Sequence, residues 1–596
     1  MADAPYLPGR LGFADPADVD EFVDTLERYE RGELTGEQWR AFRLVRGVYG
    51  QRQPDVQMLR VKIPQGLITA AQLRVLAAVA VRDGDGRCDV TTRQNLQFHN
   101  IRLADIERAM RDLAEAGLTT REACGNSIRN VTACPLAGVD PAEVFDVTPY
   151  ADAFTRHLLR GPLSSTLPRK FKVAFEGCHR GCVRAPINDL AFVARRSAEG
   201  ALGFRVLCGG GTATLARSGG ELASFLPADE LLLISEAVVR VFHREGNRKN
   251  KHKARLKWVI EKLGFDAFRE QVLAERQRIL DTKGEAEAGA PALPFPGQAP
   301  PLEPQPARPP AASVQAAPGG VARSLDYLLW RGSNVRSQKQ TGFVSAYVTL
   351  PLGGLSAAQL QQLAALSEQH GDGSVRTTVD QNLVLRYVDE AAVPALYAEL
   401  LGAGLAAAGA GELADVVSCP GADTCAIAVT TSRRMAGTLR EHLVRAAREP
   451  GLDGARIYLS GCPNGCGQHH LGTFGLQGGL RKVAGRALPV YHLSIGGGVF
   501  SEGGGERARF GRLVGKLPAR RGPQAVDRLL ALWRRERRTP DETLVEFYAR
   551  IEVEPVRAEL ADLLEIDEHS ATAADFTDLG QQTPFVIADG ESECAA

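Results

Sequence analysis

Four cysteines in the last third of the chain have a spacing that suits metal chemistry. Cys419 and Cys425 form a C-x5-C pair, and Cys462 and Cys466 form a C-x3-C pair. Zinc sites favour shorter pairs and often include histidine, whereas four thiolates from two loops suit the four irons of a 4Fe–4S cluster. The second pair lies in SGCPNGCG, whose glycines and proline exclude a regular helix and let a bulky group approach the backbone. We therefore predict two ligand loops here, rather than thiols that fill a core.

Segments of the first half of the chain recur in the second half, which indicates an internal duplication. MLRVKIPQGLITAAQL, at 58–73, resembles SAYVTLPLGGLSAAQL, at an offset of 287 residues. DVTTRQNLQF, at 89–98, resembles VRTTVDQNLVL, and EGCHRGC, at 176–182, resembles SGCPNGC at an offset of 284. Each copy predicts a strand, a helix of 3.6-residue period and a second strand, before the part with the cysteines. The sequence therefore predicts a mixed α/β (α+β) fold of two related units.

The first copy of the cysteine motif is incomplete. It keeps Cys134, Cys178 and Cys182, but Asp140 stands where the second copy has Cys425. One complete quartet predicts one cluster, and we interpret the first-copy cysteines as remnants without metal. A cluster with aspartate as its fourth ligand is the alternative.

Composition and charge exclude several classes of protein. The 596 residues include 71 Lys plus Arg and 71 Asp plus Glu, so no global charge favours a nucleic acid or a membrane surface. The N-terminus lacks a secretory-signal layout, and no run of about 18 apolar residues occurs. We expect a cytoplasmic protein without nucleic-acid or membrane partners, whose cysteines bind metal or remain free thiols.

The motifs taken together closely resemble those of the sirohaem- and 4Fe–4S-containing assimilatory sulfite and nitrite reductases. They are VTTRQNLQFH, NSIRNV, LPRKFK and the cysteine set ending in SGCPNGCG, and the family's twofold repeat matches the duplication. The resemblance covers nearly all of the chain from about residue 40 to 555. It implies sirohaem and a 4Fe–4S cluster as cofactors, with Cys466 bridging the cluster to the haem iron and Cys419, Cys425 and Cys462 holding the other irons.

The resemblance also implies a domain organisation with pseudo-twofold symmetry, in which each unit is a ferredoxin-like half-domain followed by a sirohaem/Fe–S-type α/β domain. The predicted ranges are 1–50 for an N-terminal extension, 51–125 and 126–282 for the first unit, 283–320 for a Pro/Ala-rich linker, 321–410 and 411–560 for the second unit, and 561–596 for a weakly ordered acidic tail.

Sirohaem carries many carboxylates, which arginine and amide side chains can pair. We expect such contacts from alternate residues of a strand through VTTRQNLQFH, from its counterpart in the second unit and from the cysteine loop. The candidates are Thr91, Arg93, Asn95, Gln97, His99, Arg376, Thr378, Gln381, Asn382, Asn464 and Cys466. In the basic run HREGNRKNKHKARLKW, family position favours Asn247, Arg248 and Asn250, with a solvated helix or a docking surface for an acidic donor as alternatives.

Arg60, Arg129, Lys170 and Lys172 match the family's substrate-side set, where cations hold a small oxyanion and supply protons. Burial and mutual repulsion are expected to lower the pKa of such lysines. The resemblance favours sulfite over nitrite, because the family's sulfite enzymes tend to keep the second lysine, here Lys172, and His99 also matches that branch. A dianion such as sulfite gains more from an extra cation than nitrite does. Nitrite is the alternative substrate, since the DVTTRQN wording is shared with ferredoxin-dependent nitrite enzymes. A non-catalytic Fe–S electron-transfer protein is the alternative of another class.

The electron donor is expected to be a separate protein. No strand-anchored G-x-G-x-x-G motif occurs, so reduced ferredoxin or a separate flavoprotein must deliver electrons to what we expect to be a monomer. Tyr49 and Cys124 correspond to places where some sulfite-reducing relatives carry a tyrosine–cysteine covalent link. A packed tyrosine and a free thiol are the alternative there.

Overall fold

The computed structural model describes residues 12–286, 320–444, 449–502 and 505–586. The linker predicted at 283–320 lies outside the described residues except at its two ends. No helix within the described ranges is both long and apolar enough to cross a membrane.

The first unit begins with an α-helical segment and a small sheet, and it continues into a larger α/β layer. Its first part contains α1 (Pro16–Glu30), α2 (Gly36–Val45), α3 (Ala70–Arg82), α4 (Ile106–Glu115), β1 (Val48–Gly50), β2 (Val56–Val61), β3 (Leu67–Thr69), β4 (Arg87–Val90) and β5 (Leu96–Arg102). Its second part contains β6 (Thr132–Ala133), β7 (Val173–Glu176), β8 (Leu190–Arg196), β9 (Leu202–Cys208), β10 (Gly220–Pro227), α5 (Thr148–Leu158), α6 (Leu231–Glu245), α7 (Leu256–Leu263) and α8 (Phe265–Ala286).

The second unit repeats this order. Its first part contains α9 (Leu325–Asn334), α10 (Ala357–His370), α11 (Val393–Gly402), β11 (Val335–Ser337), β12 (Phe343–Val348), β13 (Gly354–Ser356), β14 (Ser374–Thr377) and β15 (Leu383–Asp389). Its second part contains β16 (Val417–Ser418), β17 (Ile457–Ser460), β18 (Phe474–Val483), β19 (Arg486–Ile495), β20 (Gly498–Glu502), β21 (Gly505–Arg509), β22 (Arg512–Pro518), α12 (Ser432–Leu443), α13 (Gly522–Glu536), α14 (Leu544–Arg550), α15 (Val553–Glu559) and α16 (Ala561–Leu564).

The two small sheets exchange one strand each. Their strand orders are β1-β2-β5-β4-β13 and β11-β12-β15-β14-β3, so each contains four strands of its own unit and one of the other. Leu355 pairs with Cys88, and Ile68 pairs reciprocally with Val375. The apolar residues of both sheets form one shared core, so neither half closes its core alone. This arrangement confirms the predicted mixed α/β fold with a duplicated unit.

The two larger sheets place the cysteine loops at equivalent positions. Their orders are β10-β9-β8-β7-β6 and β16-β17-β18-β19-β22, each with two parallel pairs at one edge, β6–β7–β8 and β16–β17–β18. The chain leaves β7 at Glu176 and β17 at Ser460 directly into the loops with the second cysteine pairs. Both cysteine-bearing loops therefore start from the same edge of equivalent parallel strands.

The strand predicted through VTTRQNLQFH is wrong in its first half. β4 ends at Val90 and β5 begins at Leu96, and between them the Thr91 N–H donates to the Asn95 carbonyl at 2.9 Å. Gln94 has a φ of 55°, in the left-handed region. Residues 91–95 therefore form a tight turn, and only Gln97 and His99 follow strand alternation.

The C-terminal segment also differs from the expected weakly ordered tail. Through residue 586 it is described, and Ile566 and Phe576 are buried against the strands of the second larger sheet. Asp575 pairs with Arg521 at 3.1 Å. Apolar burial at two points and one ion pair fix this segment to the second unit.

Candidate cofactor and substrate cavity

One large cavity between the two units collects most of the predicted site residues. Its empty space is about 1650 Å³, a figure that includes the open mouth. The predicted residues that line it are Arg60, Thr91, Arg93, Asn95, Gln97, His99, Arg129, Lys170, Lys172, Gln381, Cys419, Cys425, Cys462, Asn464 and Cys466. The substrate-side cations of the first unit and the cysteine quartet of the second unit therefore face the same space.

Positive charge dominates the wall of this cavity. Its charged lining side chains are Arg60, Arg93, Arg129, Lys170, Lys172, Arg255, Arg433 and one carboxylate, Asp89. Asp89 is already engaged, because Arg433 donates to it at 2.7 Å and His99 Nε2 lies 3.3 Å away. Burial opposes ionisation of Asp89, but the interactions with His99 and Arg433 hold its pKa well below the ordinary range. The remaining cations suit a polyanionic occupant.

The turn between β4 and β5 aims its polar groups into the cavity. Arg93 donates to Asn188 Oδ1 at 2.9 Å and to the Asn130 carbonyl at 2.6 Å. Its buried Nε has no hydrogen-bond partner among the described residues. Burial lowers the pKa of Arg93 to about 9, with Asp189 opposing and the neighbouring arginines adding to the shift. The Thr92 hydroxyl donates to the Cys466 carbonyl at 2.8 Å, so the turn of one unit fixes the cysteine loop of the other.

Lys170 and Lys172 both reach the cavity from the segment before β7. Burial lowers the pKa of Lys172 well below its ordinary value, and the cations of Arg255, Arg93 and Lys170 add to this shift. The Lys172 backbone N–H donates to Asp189 Oδ2 at 2.9 Å, and Arg255 donates to the same oxygen at 2.6 Å. Asp189 is fully buried. It therefore positions both a lysine backbone and an arginine beside the cavity.

The basic run contributes to the cavity through residues that the sequence prediction missed. Asn247, Arg248 and Asn250 lie outside the cavity lining; Arg248 donates to the Thr166 carbonyl at 2.9 Å, and Asn247 accepts local backbone bonds. Arg255 lines the cavity instead, and its buried Nε has no partner among the described residues. Arg255 lies inside the run, and in the structure it packs against the glycines at 209–211, since a Cβ at 211 would lie 2.7 Å from Arg255 Nη1.

A second missed residue, Lys257, holds the loop opposite the cysteines. Its ammonium donates to the carbonyls of Thr212, Thr214 and Leu215 at 2.7–2.8 Å. Burial lowers the pKa of Lys257 to about 7, with Arg255 contributing. Because Thr212 lines the cavity, this lysine shapes the wall without contacting its interior.

His99 lines the cavity, and its ring contacts two neighbouring side chains of the protein. Its Nδ1 lies 2.9 Å from Gln51 Oε1, and its Nε2 lies 3.3 Å from Asp89 Oδ2. Nδ1 is therefore within hydrogen-bonding distance of Gln51, whereas Nε2 contacts Asp89 without making a hydrogen bond within the described residues. Gln97, two residues earlier on β5, donates to Met58 Sδ at 3.4 Å.

The glycines of the cysteine loops are required by close backbone packing. A Cβ on Gly467 would lie 1.7 Å from the Leu459 carbonyl oxygen, which no side chain can tolerate. Gly465 has a φ of 67°, the region that favours glycine. These contacts hold Cys462 and Cys466 at the cavity surface.

Polar groups already surround one of the thiols. The Gly461 N–H donates to Cys419 Sγ at 3.2 Å, and Ser432 Oγ lies 3.3 Å from the same sulfur. Burial and the neighbouring Cys466 raise the pKa of Cys419, and these hydrogen bonds oppose that shift in favour of the thiolate, the form that binds iron. The described residues contain no group of three or more His, Cys, Asp or Glu side chains that could hold a single metal ion. The quartet instead borders the large cavity, as a multi-iron group requires.

The second-unit counterparts of the turn are not brought to this cavity. Arg376, which is fully buried, donates to Thr148 Oγ1 at 3.0 Å. Thr378 Oγ1 accepts from the Asn382 N–H at 3.0 Å, and the Asn382 amide donates to Asp415 at 2.7 Å. All three therefore differ from the prediction of cofactor contact: they hold their own turn and its surroundings.

An ionic network surrounds the second-unit turn that corresponds to residues 91–95. Asp380 occupies the position that corresponds to Arg93, at the offset of 287. Arg184 donates to Asp380, to Tyr458 and to Gln468. Arg184 and its three acceptors thus satisfy one another here, whereas the cavity wall carries seven cationic side chains and one carboxylate. Gln381 borders the true cavity, but its amide is bonded to the Val90 carbonyl and the Ser418 N–H.

The first-copy cysteines lie close to one another but away from the cavity. Hydrogen bonds link Cys134, Cys178 and Cys182, and Cys178 Sγ lies 3.9 Å from Asp140. Arg180 pairs with that carboxylate at 3.4 Å. The interpretation of these cysteines as remnants stays a prediction.

Tyr49 and Cys124 share one small apolar cluster beside the cavity. Both are buried, and Tyr49 lines the cavity. Arg129 closes over this loop by donating to the carbonyls of Ala123 and Gly125 at 2.8–3.2 Å. The predicted neighbourhood of the two side chains is present, and their covalent link stays a prediction.

Known proteins of similar sequence place these observations in one family. The model of the nitrite and sulphite reductase 4Fe-4S domain matches residues 124–279 and 409–567, and that of the nitrite/sulfite reductase ferredoxin-like half domain matches 49–116 and 336–403. The ferredoxin–nitrite reductase of Synechococcus elongatus is 32% identical over 78% of this chain and 85% of its own length. That of Leptolyngbya laminosa is 33% identical over 77% and 82%.

A solved structure supports the fold. The NirA protein of Mycobacterium tuberculosis superposes with a TM-score of 0.73 at 24% identity, covering 91% of this chain and 97% of its own. The family models match well over half of the chain, in two copies of each domain. The chain therefore belongs to the nitrite and sulphite reductase family and is an oxidoreductase with duplicated ferredoxin-like and 4Fe–4S domains.

Proposed function

We propose that this protein reduces nitrite to ammonia at a sirohaem coupled to a 4Fe–4S cluster, with electrons from reduced ferredoxin. The observation that carries the proposal is the single cavity in which substrate-side cations face a complete cysteine quartet. The relatives named above are ferredoxin–nitrite reductases, which favours nitrite and ferredoxin over the sulfite preference drawn from the sequence.

The cavity wall fits sirohaem. The macrocycle is flat and carries several carboxylates, and the cavity wall offers more cationic side chains than carboxylates, together with buried Nε atoms of Arg93 and Arg255 that make no hydrogen bond within the described residues. We assign the haem-facing role to Thr91, Arg93, Asn95, Gln97, Arg255, Asn464 and Cys466. His99, Gln381 and Arg433 support the wall through protein contacts. When bound, the two cofactors supply an iron that accepts the oxyanion and a store of electrons beside it.

The cluster ligands are proposed to be Cys419, Cys425, Cys462 and Cys466. Cys466 stands at the junction of the two units, because Thr92 holds its carbonyl. That position suits the bridging role that the family resemblance implies for it. The protein keeps this thiolate in place through the glycine contacts of its loop, which leave no room for a larger residue at 467.

The substrate side is proposed to consist of Arg60, Arg129, Lys170 and Lys172. The two arginines are held rigidly, Arg60 by Asn95 at 3.3 Å and Arg129 by backbone carbonyls. They attract and orient the oxyanion. Lys172, whose pKa burial lowers, can release a proton more readily than an ordinary lysine. Protons are consumed at every oxygen that leaves as water, so a poised donor beside the substrate is required.

Sulfite is a second candidate substrate, on one observation. Lys172 lines the cavity next to Lys170, and an additional cation favours a dianion over a monoanion. The support expected from His99 is weaker, because its Nδ1 faces Gln51 Oε1 and its Nε2 lies 3.3 Å from the Asp89 carboxylate. A non-catalytic electron-transfer role leaves the cation-lined cavity without a purpose. Monomeric state and cytoplasmic location stay predictions.

The deciding experiment measures kcat/KM for nitrite and for sulfite on one purified batch, with chemically reduced ferredoxin as donor. We expect both sirohaem and cluster bands in the optical spectrum and a clear preference for nitrite. A preference for sulfite would reverse the substrate assignment and leave the cofactor assignment intact. A spectrum without a haem band in cofactor-replete protein would refute the assignment of sirohaem.

A further inference from the structure

The C-terminal strap, which we define as residues 565–586, packs against a loop that carries two cluster thiols. The matched family domain ends at residue 567, so most of the strap lies beyond it. The strap is anchored independently of that loop, through buried Ile566 and Phe576 and through the pair between Asp575 and Arg521. The strap is therefore a fixed part of the second unit, and it can hold the neighbouring cysteine loop in place through a contact.

Asp578 makes that contact. Its side chain is buried, with 1% exposure. Its Oδ2 accepts the Thr431 N–H at 2.8 Å, its Oδ1 accepts the Leu579 N–H at 2.8 Å, and Thr431 Oγ1 donates to the Leu579 carbonyl at 3.1 Å. Thr431 immediately precedes α12 and makes no side-chain cap of its own. The strap thus supplies, from a distant part of the chain, the carboxylate that satisfies this helix terminus.

The next residue connects this terminus to a cluster ligand. Ser432 Oγ donates to the Cys419 carbonyl at 3.0 Å and lies 3.3 Å from Cys419 Sγ. Ser432 is packed tightly against Gly421, because a Cβ on Gly421 would lie 2.5 Å from the backbone nitrogen of Ser432. A shift of the α12 terminus must therefore displace Ser432 and, with it, the thiol at 419.

We propose that Asp578 is a positioning residue for the iron–sulfur cluster, which holds the Cys419 thiolate in its ligating position through Thr431 and Ser432. This inference rests on the cluster ligand set proposed above. It predicts that the strap protects one corner of the cluster from dissociation, although no strap residue is itself a ligand. Neither the cysteine spacing nor the matched domain contains this element.

The test uses anaerobic, cofactor-replete holoenzyme and the variants Asp578→Ala, Asp578→Asn and Asp567→Asn. Asp567 is the matched control, because it is an exposed strap carboxylate that bonds only the strap backbone and side chain at 569–570. Cluster loss to an iron chelator is followed by absorbance, the reduced cluster is examined by electron paramagnetic resonance, and thermal unfolding is recorded separately.

We expect Asp578→Ala to lose its cluster about tenfold faster, which corresponds to about 1.4 kcal/mol, and to show an altered resonance spectrum. Asp578→Asn, which retains one acceptor, should fall between this variant and the wild type, and Asp567→Asn should match the wild type. An unchanged rate and spectrum in Asp578→Ala would overturn the proposal. Equal effects in Asp567→Asn would overturn it too, since strap folding alone would then explain the result.

Thr431→Val keeps the test decisive if Asp578→Ala does not fold. This variant removes only the hydroxyl that donates to the Leu579 carbonyl. We expect a two- to threefold faster cluster loss, and an unchanged rate would contradict the proposal. A wild-type holoenzyme without any 4Fe–4S signal would refute the ligand set itself, an outcome distinct from failure of the strap alone.

Discussion

Replacement of Lys172 by glutamine tests the charge that separates the two candidate substrates. Lys172 lines the cavity together with Lys170, and its pKa is lowered well below the ordinary lysine value by burial and by Arg255, Arg93 and Lys170. A bound anion opposes these shifts and favours the ammonium form. Lys172→Gln keeps a polar side chain of similar length but removes this positive charge.

The magnitude follows from Coulomb's law. At a separation of about 5 Å and an effective dielectric constant of about 20, one pair of unit charges interacts by about 3 kcal/mol. Nitrite loses one such interaction in Lys172→Gln and the sulfite dianion loses two, so the ratio of kcat/KM for sulfite to that for nitrite should fall about 100-fold. The difference in substrate preference between wild type and Lys172→Gln should shrink as the pH rises. A lysine with a lowered pKa loses its proton, and therefore its charge, at a pH below the ordinary lysine pKa of about 10.5.

The assay compares kcat/KM for both anions in the wild type, in Lys172→Gln and in Lys249→Gln, which alters an exposed lysine. Thermal stability of each preparation is recorded, and Lys172→Gln should unfold no earlier than the wild type, since it relieves repulsion in the wall. Equal losses for nitrite and sulfite would refute the reasoning, because the lysine charge would then not face the substrate.

Further predictions concern the cysteine loop, a buried lysine, and the tyrosine–cysteine pair. Gly467→Ala should abolish cluster incorporation, measured as iron and acid-labile sulfide, because its Cβ would lie 1.7 Å from a carbonyl oxygen; Gly332→Ala, with open space around its Cβ, should incorporate normally. Lys62 has a pKa lowered to about 8 by burial, so the unfolded chain binds more protons above pH 8 and the free energy of unfolding should rise by about 3 kcal/mol from pH 8 to about 10.5. That rise should be missing in Lys62→Met, so the difference in unfolding free energy between wild type and variant should change by the same amount over this pH range, and an identical pH dependence in both would contradict the assignment. Peptide mapping of purified holoenzyme should recover a cross-linked pair of peptides containing Tyr49 and Cys124, and recovery of both unmodified would end that prediction.

The sequence predicts the duplication from a repeated offset and the four thiols from their spacing, and the substrate-side cations are what the family resemblance implies. It fails where distant contacts decide the conformation. VTTRQN is rich in β-branched residues, but Gln94 adopts a left-handed φ because its amide bonds the backbone of Ala133 and the Thr377 carbonyl. The strand therefore breaks into a turn for reasons that lie 39 and 283 residues away.

The missed site residues share the same cause. Arg255 becomes part of the wall because Asp189, from a distant part of the chain, accepts hydrogen bonds both from its guanidinium and from the Lys172 N–H. In the proposal above, Asp578 acts on Cys419 through Thr431 and Ser432, which lie at the start of α12. Their residue types carry no motif, since a buried carboxylate that positions other groups is recognisable only from its partners.

The two units share one fold, but the corresponding turns at residues 91–95 and 378–382 carry different charges. Equivalent turns carry Thr92 and Arg93 in one unit and Val379 and Asp380 in the other. In the first, the hydroxyl holds the Cys466 carbonyl and the guanidinium faces a cavity with surplus positive charge, which a polyanion can neutralise. In the second, the carboxylate is matched by Arg184, so a polyanion would have to break an internal ion pair and would meet a like charge. We therefore expect one cofactor pair per chain, because these two corresponding positions differ in charge although the two units share the same fold.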